Sequence, residues 1–132
     1  MKILLSSIGV QSGTDLQLAL YYLKSYLLKR KIKAAPLPEV IIKVFHEEDA
    51  VADICRRINK TKPRLIGFSC YIWNITAILR VCRRLKKDNP DITIVLGGPE
   101  VSPRAQEILA GDVVIGGIDP EDRFPERLLR SF

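Results

Sequence analysis

Glycine pairs stand where predicted strands of this sequence end. The stretch IVLGGPEVS (94–102) ends an apolar run in Gly97 and Gly98, and GGIDPED (116–122) has a second pair after a later run. Because glycine has no Cβ, either the backbone turns sharply there or a large group lies against it. Helices that begin after such loops offer free N–H groups to phosphate or another polar group. The pattern therefore predicts a ligand-binding edge.

Sequence patterns of several catalytic sites are absent. The chain contains neither the phosphate loop G-x-x-x-x-G-K-[ST] nor the dinucleotide fingerprint G-x-G-x-x-G. A catalytic triad would depend on the single histidine, His46. No pair of carboxylates has a spacing suited to general acid–base catalysis. We therefore expect no catalytic residues in this chain.

Five short apolar runs alternate with five helical patterns. The predicted strands are 2–6, 39–45, 64–70, 91–96 and 112–116, and the predicted helices are 15–31, 48–60, 74–88, 103–110 and 122–132. This alternation predicts an α/β fold, a doubly wound parallel sheet between two layers of helices. The expected strand order is 2-1-3-4-5, the flavodoxin-like, Rossmann-like arrangement, which binds ligands at the carboxyl ends of the strands.

Composition and charge are those of a globular domain. The 132 residues suit one domain, and the net charge of +6 lies mainly in 29–33, 56–64 and 83–87. These clusters end predicted helices, where the helix dipole favours cations. Aromatic residues are not interleaved with them, as stacking on nucleic acid would require. We therefore expect no specific nucleic-acid binding.

The cysteines and the lengths of the apolar runs predict a cytoplasmic location. Cys55, Cys70 and Cys82 show no C-x-x-C spacing, which favours reduced thiols over a disulfide framework or a zinc site. No apolar run approaches the roughly 20 residues of a membrane helix.

The second half of the chain resembles a known family. IGFSCYIWNITAILRVCRRLKKDNPDITIVLGG (66–98) and its continuation PEVS (99–102) are similar to the N-terminal cobalamin (vitamin B12)-binding domain of cobalamin-dependent radical S-adenosylmethionine (SAM) enzymes. In that family one strand ends in G-F-S, a helix follows, and the next strand ends in L-G-G-P-E. DVVIGGIDPEDRFPERLL (112–129) resembles a later strand, acidic loop and helix. The first half agrees only in its βα pattern.

The resemblance implies a cobalamin site at the carboxyl edge of the sheet. Ser69 would contact the nucleotide loop of cobalamin, and Gly97 and Gly98 would leave room for its dimethylbenzimidazole tail, with Glu100 and Val101 lining the same groove. A bulky residue at position 98 would then block binding without unfolding the domain. The expected cofactor-binding residues are Ser69, Cys70, Tyr71, Trp73, Gly97, Gly98, Pro99, Glu100, Gly116 and Gly117.

The chain departs from the family at two loops. Many cobalamin domains carry D-x-H-x-x-G after the first strand, whose histidine ligates cobalt, whereas this chain has SSIGVQSGT (6–14). Since radical-enzyme relatives often lack that histidine, we expect binding without a protein ligand on cobalt. His46 is expected to be a surface loop residue. The usual Gly-Glu-Gly-Glu after the fifth strand is GGID (116–119) here.

The resemblance also implies a missing partner. The iron–sulfur motif C-x-x-x-C-x-x-C is absent, so this chain is not expected to cleave SAM. Residues 1–132 would form one accessory domain or a fragment of a longer radical SAM enzyme, a methyltransferase among the candidates. The iron–sulfur cluster and SAM would belong to a barrel domain of that protein, facing Tyr71, Trp73 and Glu100.

Two other functions stay open. GVQSGTDLQLA (9–19) is similar to the flavodoxin phosphate loop, which would suit FMN, although Ile8 and Gly9 lengthen the loop and no aromatic flavin sandwich is evident. The domain would otherwise be a ligand-free protein-interaction module. Tyr71 and Trp73 would stack on a corrin ring or a partner domain, or pack against the rim of the sheet.

Overall fold

The protein folds as a parallel sheet with helices on both faces. The structure is a computed structural model, and it describes residues 1–9, 18–29, 38–101 and the backbone of 114–115. The strands are β1 (Lys2–Gly9), β2 (Glu39–His46), β3 (Leu65–Ser69), β4 (Thr93–Gly97) and β5 (Val114–Ile115), and the helices are α1 (Leu18–Lys29), α2 (Val51–Thr61) and α3 (Ile75–Asp88). The order is β2-β1-β3-β4-β5, and every pairing is parallel. The predicted class and strand order are confirmed. The predicted helices 103–110 and 122–132 lie outside the described residues.

Apolar side chains cover both faces of the sheet. Successive strand residues point to opposite faces, so one strand supplies two cores. On one face, α1 contributes Leu20 and Leu27 to a cluster with Ile3 and Leu5. On the other face, α2 and α3 pack against the strands, with buried Ile54, Ile58, Ile78, Leu85, Leu4, Ile66 and Ile94. Burial of each such side chain stabilises the fold by about 1.5–3 kcal/mol, and the layering confirms the predicted α/β/α arrangement.

The first strand is longer than its sequence indicated. β1 extends to Gly9, whereas the prediction ended it at Ser6 and treated 6–14 as a loop. Ser6 and Ser7 are fully buried. Their hydroxyls donate to backbone carbonyls of the neighbouring strands, Ser6 to Lys43 at 2.8 Å and Ser7 to Ser69 at 3.2 Å. Buried hydroxyls with such partners are compatible with a central strand, so the predicted boundary was wrong.

This extension changes the first carboxyl-end loop. Ile8 pairs with Phe45 and Gly9 with His46 in the β1–β2 register. Both residues therefore belong to the strand and cannot lengthen the loop that follows it. The argument that these two residues lengthen a flavin phosphate loop is therefore wrong, and residues 10–17 lie outside the described part of the chain.

Ion pairs offset part of the basic charge on α2 and α3. Arg56 pairs with Asp53, and Arg84 pairs with Asp88 at 3.3 Å. Both pairs are solvent-exposed, so each contributes at most about 1 kcal/mol. Within the described part of the chain, no helix combines the length and apolarity needed to cross a membrane.

Candidate functional site

The ends of β3 and β4 place two of the predicted site residues side by side. Ser69 is the register partner of Gly97. Leu65 packs in the α1 cluster, and the two-residue period puts Ser69 on the same face of β3. Gly97, its in-register neighbour, shares that face. Ser69 is partly exposed, and its hydroxyl has no hydrogen-bond partner among the described residues. Within the described part of the chain, an unpartnered hydroxyl thus lies beside a residue that has no side chain.

Gly98 lies against the loop that follows β3. Its φ of 111° is in a region that residues with a side chain rarely adopt. A Cβ on Gly98 would overlap the carbonyl oxygen of Cys70 and come within 2.9 Å of the Cys70 nitrogen. The Cys70 N–H also donates to the carbonyl of Gly97 at 2.7 Å. Backbone contact within the chain thus requires glycine at 98, so a bulky residue there should disturb the fold, contrary to the expectation from the resemblance.

Cys70 contributes its backbone rather than a reactive thiol. The side chain is fully buried. Burial raises the pKa of the Cys70 thiol from 9.0 to about 12, and the N–H of Gly97 only partly offsets the effect. Since the thiolate is the form that attacks electrophiles and binds metals, Cys70 is inert near neutral pH. Burial likewise raises the pKa of Cys55 and Cys82.

Three apolar or aromatic residues project from the β3–α3 loop. The rings of Tyr71 and Trp73 stack with centroids 4.7 Å apart and planes 1° from parallel. Trp73 is 57% exposed, and Ile72 between them is 74% exposed. The two rings therefore pack only incompletely against the rim of the sheet. The exposed surface of Ile72 and Trp73 borders the carboxyl ends of the strands, where parallel α/β sheets bind ligands.

Asn74, a residue that the sequence analysis did not single out, joins this loop to two strands. It is buried. Its Nδ2 lies 3.1 Å from the carbonyl oxygen of Ile8, 3.2 Å from that of Ser69 and 3.3 Å from the Ser7 hydroxyl. Its Oδ1 accepts a 2.7 Å hydrogen bond from the N–H of Tyr71. An asparagine just before a helix resembles an ordinary cap in sequence, and only the fold brings Ser7 and Ile8 to it.

His46 ends β2 and is engaged in a tight turn. Its Nδ1 accepts a hydrogen bond from the N–H of Glu48 at 3.1 Å, and its own N–H donates to the Asp49 carboxylate at 2.8 Å. An imidazole that accepts at Nδ1 carries its proton on Nε2 when neutral. In this arrangement the lone pair of Nδ1 is used within the turn. In the described residues, no group of three or more His, Cys, Asp or Glu side chains has the arrangement of a metal site.

The remaining predicted residues are distributed along the β4 loop. Pro99 is exposed and Glu100 is half-buried. Val101 is buried with the core beneath α2 and α3, so it packs on the face opposite Ser69 and Gly97 rather than beside them. Its N–H donates to the Gly98 carbonyl at 3.3 Å. Gly116 and Gly117 lie outside the described residues.

Comparison with known proteins identifies the family of this chain. The sequence profile of the B12 binding domain matches residues 13–124. The chain belongs to the B12-binding domain family. This B12-binding domain is also similar to two curated enzymes. It is 34% identical over 73 residues to the 2-(S-pantetheinyl)-carbapenam-3-carboxylate methyltransferase of Streptantibioticus cattleyicolor, over 52% of the chain and 11% of that enzyme.

The second curated relative is the cobalamin-dependent radical SAM methyltransferase TokK of Streptomyces tokunonensis, with 35% identity over 43 residues. That match covers 33% of the B12-binding domain and 6% of TokK. The aligned segments therefore cover only 11% and 6% of the lengths of these relatives. Their whole-protein activities do not transfer to it by similarity alone.

Two solved structures share the fold of this B12-binding domain. The apo form of OxsB, a cobalamin-dependent S-adenosylmethionine radical enzyme, superposes with a TM-score of 0.68 at 19% identity, over 98% of this chain and 19% of OxsB. A cobalamin-binding protein from Desulfitobacterium hafniense DCB-2 superposes with a TM-score of 0.57 at 15% identity, over 98% of this chain and 57% of that protein. At these identities the likeness concerns the fold.

Proposed function

We propose that this domain binds a corrinoid at the carboxyl edge of its sheet, without a protein histidine on cobalt. The observation that carries the proposal is the pairing of Ser69 with Gly97 on one face of the sheet, in a chain of the B12-binding family. Ser69 would hold a polar group of the cofactor, and Gly97 would allow it close to the backbone. A corrinoid, when bound, supplies a cobalt centre for alkyl-group or radical chemistry.

The chemistry of the described residues fits a neutral, non-coordinating site. The Ser69 hydroxyl, which has no partner in residues 1–9, 18–29 and 38–101, can donate and accept hydrogen bonds. The Cys70 thiol, with a pKa of about 12, does not present a thiolate to cobalt. His46 uses Nδ1 as an acceptor within its own turn. The protein side of the site would therefore bind and orient the cofactor, leaving cobalt to water or to another ligand.

We further propose that the domain works beside a radical SAM domain of the same protein, which would hold the iron–sulfur cluster and SAM. Two observations support this partner. The curated relative TokK and the structural relative OxsB are both named as cobalamin-dependent radical SAM enzymes. Ile72 and Trp73 expose apolar surface at the edge where the cofactor would lie. The whole protein would be a candidate radical SAM methyltransferase, with residues 1–132 as its B12-binding part.

Titration of the purified chain with hydroxocobalamin tests the proposed site. Visible absorbance and calorimetry should show one binding site, and Ser69→Ala should weaken binding about three- to tenfold because it removes one hydrogen bond. Its unfolding midpoint in urea should stay unchanged, since the hydroxyl has no partner in the described residues. His46→Ala is the matched control and should bind like the wild type.

Three results would contradict the proposal. Binding of FMN without cobalamin would favour the flavodoxin-like alternative. Binding of neither cofactor would favour a ligand-free interaction module. Loss of binding in His46→Ala, with a change in the cobalt absorption bands, would show that a histidine does ligate the metal.

A further inference from the structure

We propose that Asn74 is a positioning residue for the corrinoid site: its buried carboxamide fixes the loop that carries Tyr71, Ile72 and Trp73 onto the ends of β1 and β3. This inference rests on the proposed function and names the residue that prepares the site before a cofactor arrives. We do not expect Asn74 to contact the cofactor, because its side chain is 2% exposed and faces the protein.

The contacts of Asn74 reach the end of β1, the end of β3 and the loop that follows β3. Nδ2 points to oxygens of Ser7 and Ile8 at the end of β1 and of Ser69 at the end of β3, all within 3.3 Å. Two protons are shared among these three acceptors. Oδ1 accepts from Tyr71, the first residue of the aromatic pair. A single side chain thus couples both strands of the topological switch to the loop beside them.

Only a carboxamide satisfies this set of partners. Aspartate has the same shape, but its ionised carboxylate has no proton to donate and would face three oxygens. Aspartate would still accept from the N–H of Tyr71. Alanine removes the hydrogen bonds donated by Nδ2 and also the one accepted by Oδ1. Asn74→Asp therefore isolates the contacts to the strands, whereas Asn74→Ala removes the contact to the loop as well.

The exposure of the aromatic loop explains why such an anchor is needed. Trp73 and Ile72 are largely solvent-exposed, so burial contributes little to holding them. Ordering mobile side chains during binding weakens affinity. An anchor that orders the loop beforehand removes that cost, which leaves the stacked Tyr71–Trp73 pair in one geometry at the cofactor edge.

The single tryptophan of the chain is Trp73, so optical signals from tryptophan report on this loop alone. In the cofactor-free protein we expect Trp73 to give a near-ultraviolet circular dichroism band and high fluorescence anisotropy. Asn74→Asp and Asn74→Ala should reduce both signals while the far-ultraviolet spectrum of the sheet persists. Their affinity for hydroxocobalamin should fall about tenfold, because binding would then have to order the loop and its side chains.

Ser6→Ala is the matched control. Ser6 is also fully buried, and its hydroxyl also bonds a backbone carbonyl, but that carbonyl belongs to Lys43 on the other side of β1. It should leave the Trp73 signals and cobalamin affinity unchanged. Equal losses in Ser6→Ala and the Asn74 variants would overturn the proposal, because they would show a general effect of stability. Wild-type signals and affinity in folded Asn74 variants would overturn it directly.

A measurement on the unaltered chain covers the case in which the variants do not fold. The side-chain amide protons of Asn74 should exchange with solvent much more slowly than those of the exposed Asn89. Equal exchange would refute the anchor. If the wild type orders Trp73 and protects Asn74 yet binds no corrinoid, the proposed function is wrong and the positioning role for that cofactor is overturned with it. If the wild type binds while Asn74 exchanges freely, only the positioning role is wrong.

Discussion

Substitution of Gly98 by alanine should destabilise the fold even without a cofactor. An alanine there would have to keep a φ near 111°, which costs about 1–3 kcal/mol. Its Cβ would also overlap the Cys70 carbonyl. Because that obstacle is backbone, no side-chain rotation relieves it, and overpacking of this kind costs about 1–3 kcal/mol. The two effects together give a loss of about 2–6 kcal/mol.

Urea unfolding followed by far-ultraviolet circular dichroism measures this loss. Domains are typically stable by about 5–15 kcal/mol, so the effect is a large share of the total. With a urea dependence of about 2 kcal/mol per molar, a loss of 4 kcal/mol lowers the midpoint by about 2 M. The comparison is made without a cofactor, because a ligand bound by the wild type alone would add to the difference between the two proteins.

Gly67→Ala is the matched control for the Gly98 prediction. An added Cβ at Gly67 would meet only Cδ2 of Leu5 at 3.1 Å, the mobile end of a side chain. We expect a loss of about 1 kcal/mol or less there. A Gly98→Ala protein as stable as Gly67→Ala would refute the reasoning, since the loop would then have room to relax. If it also failed to bind cobalamin, the glycine would be required by the ligand instead.

Three further outcomes are expected. His46→Ala should change hydroxocobalamin affinity by less than about twofold in calorimetry, and a larger loss would contradict the absence of a histidine ligand. Stability should decline in alkali: the Cys70 pKa is raised from 9.0 to about 12, so its contribution is complete below pH 9 and falls as pH rises towards 12. The slope should approach about 1.4 kcal/mol per pH unit for the Cys70 thiol in urea titrations, and should be smaller in Cys70→Ala. Electrophoretic mobility shifts at physiological salt should show no sequence-selective DNA or RNA binding, and selective binding would contradict our interpretation of the basic helix ends.

The fold was predictable because its signals are local and repeated. Apolar runs such as 39–45 and amphipathic stretches such as 74–88 correspond closely to β2 and α3. Parallel strands joined by helices then permit few topologies. The end of β1 was mispredicted because Ser6 and Ser7 are polar, and their burial depends on carbonyls of strands that lie far along the chain.

The site was only partly predictable for a related reason. Glycine at 98 correctly indicated close approach, but the sequence could not show that the approaching group is the backbone of Cys70. Asn74 gave no distinct signal, since its partners Ser7 and Ile8 lie more than 60 residues away. Residues that act through long-range contacts need the fold before their role can be argued.

The central place of β1 has a consequence for biosynthesis. β1 is the first strand of this chain to leave the ribosome, yet it lies between β2 and β3, whose last residues are His46 and Ser69. At about 5–20 residues per second, roughly 3–12 seconds separate the synthesis of β1 and the end of β3. During that interval the side chains of Ile3, Leu4 and Leu5 are only partly buried, because the residues that pack against them have not all been synthesised. Of the four strands whose burial is described, β1 is the most buried, and it is also the one that waits longest in the nascent chain for both of its neighbours.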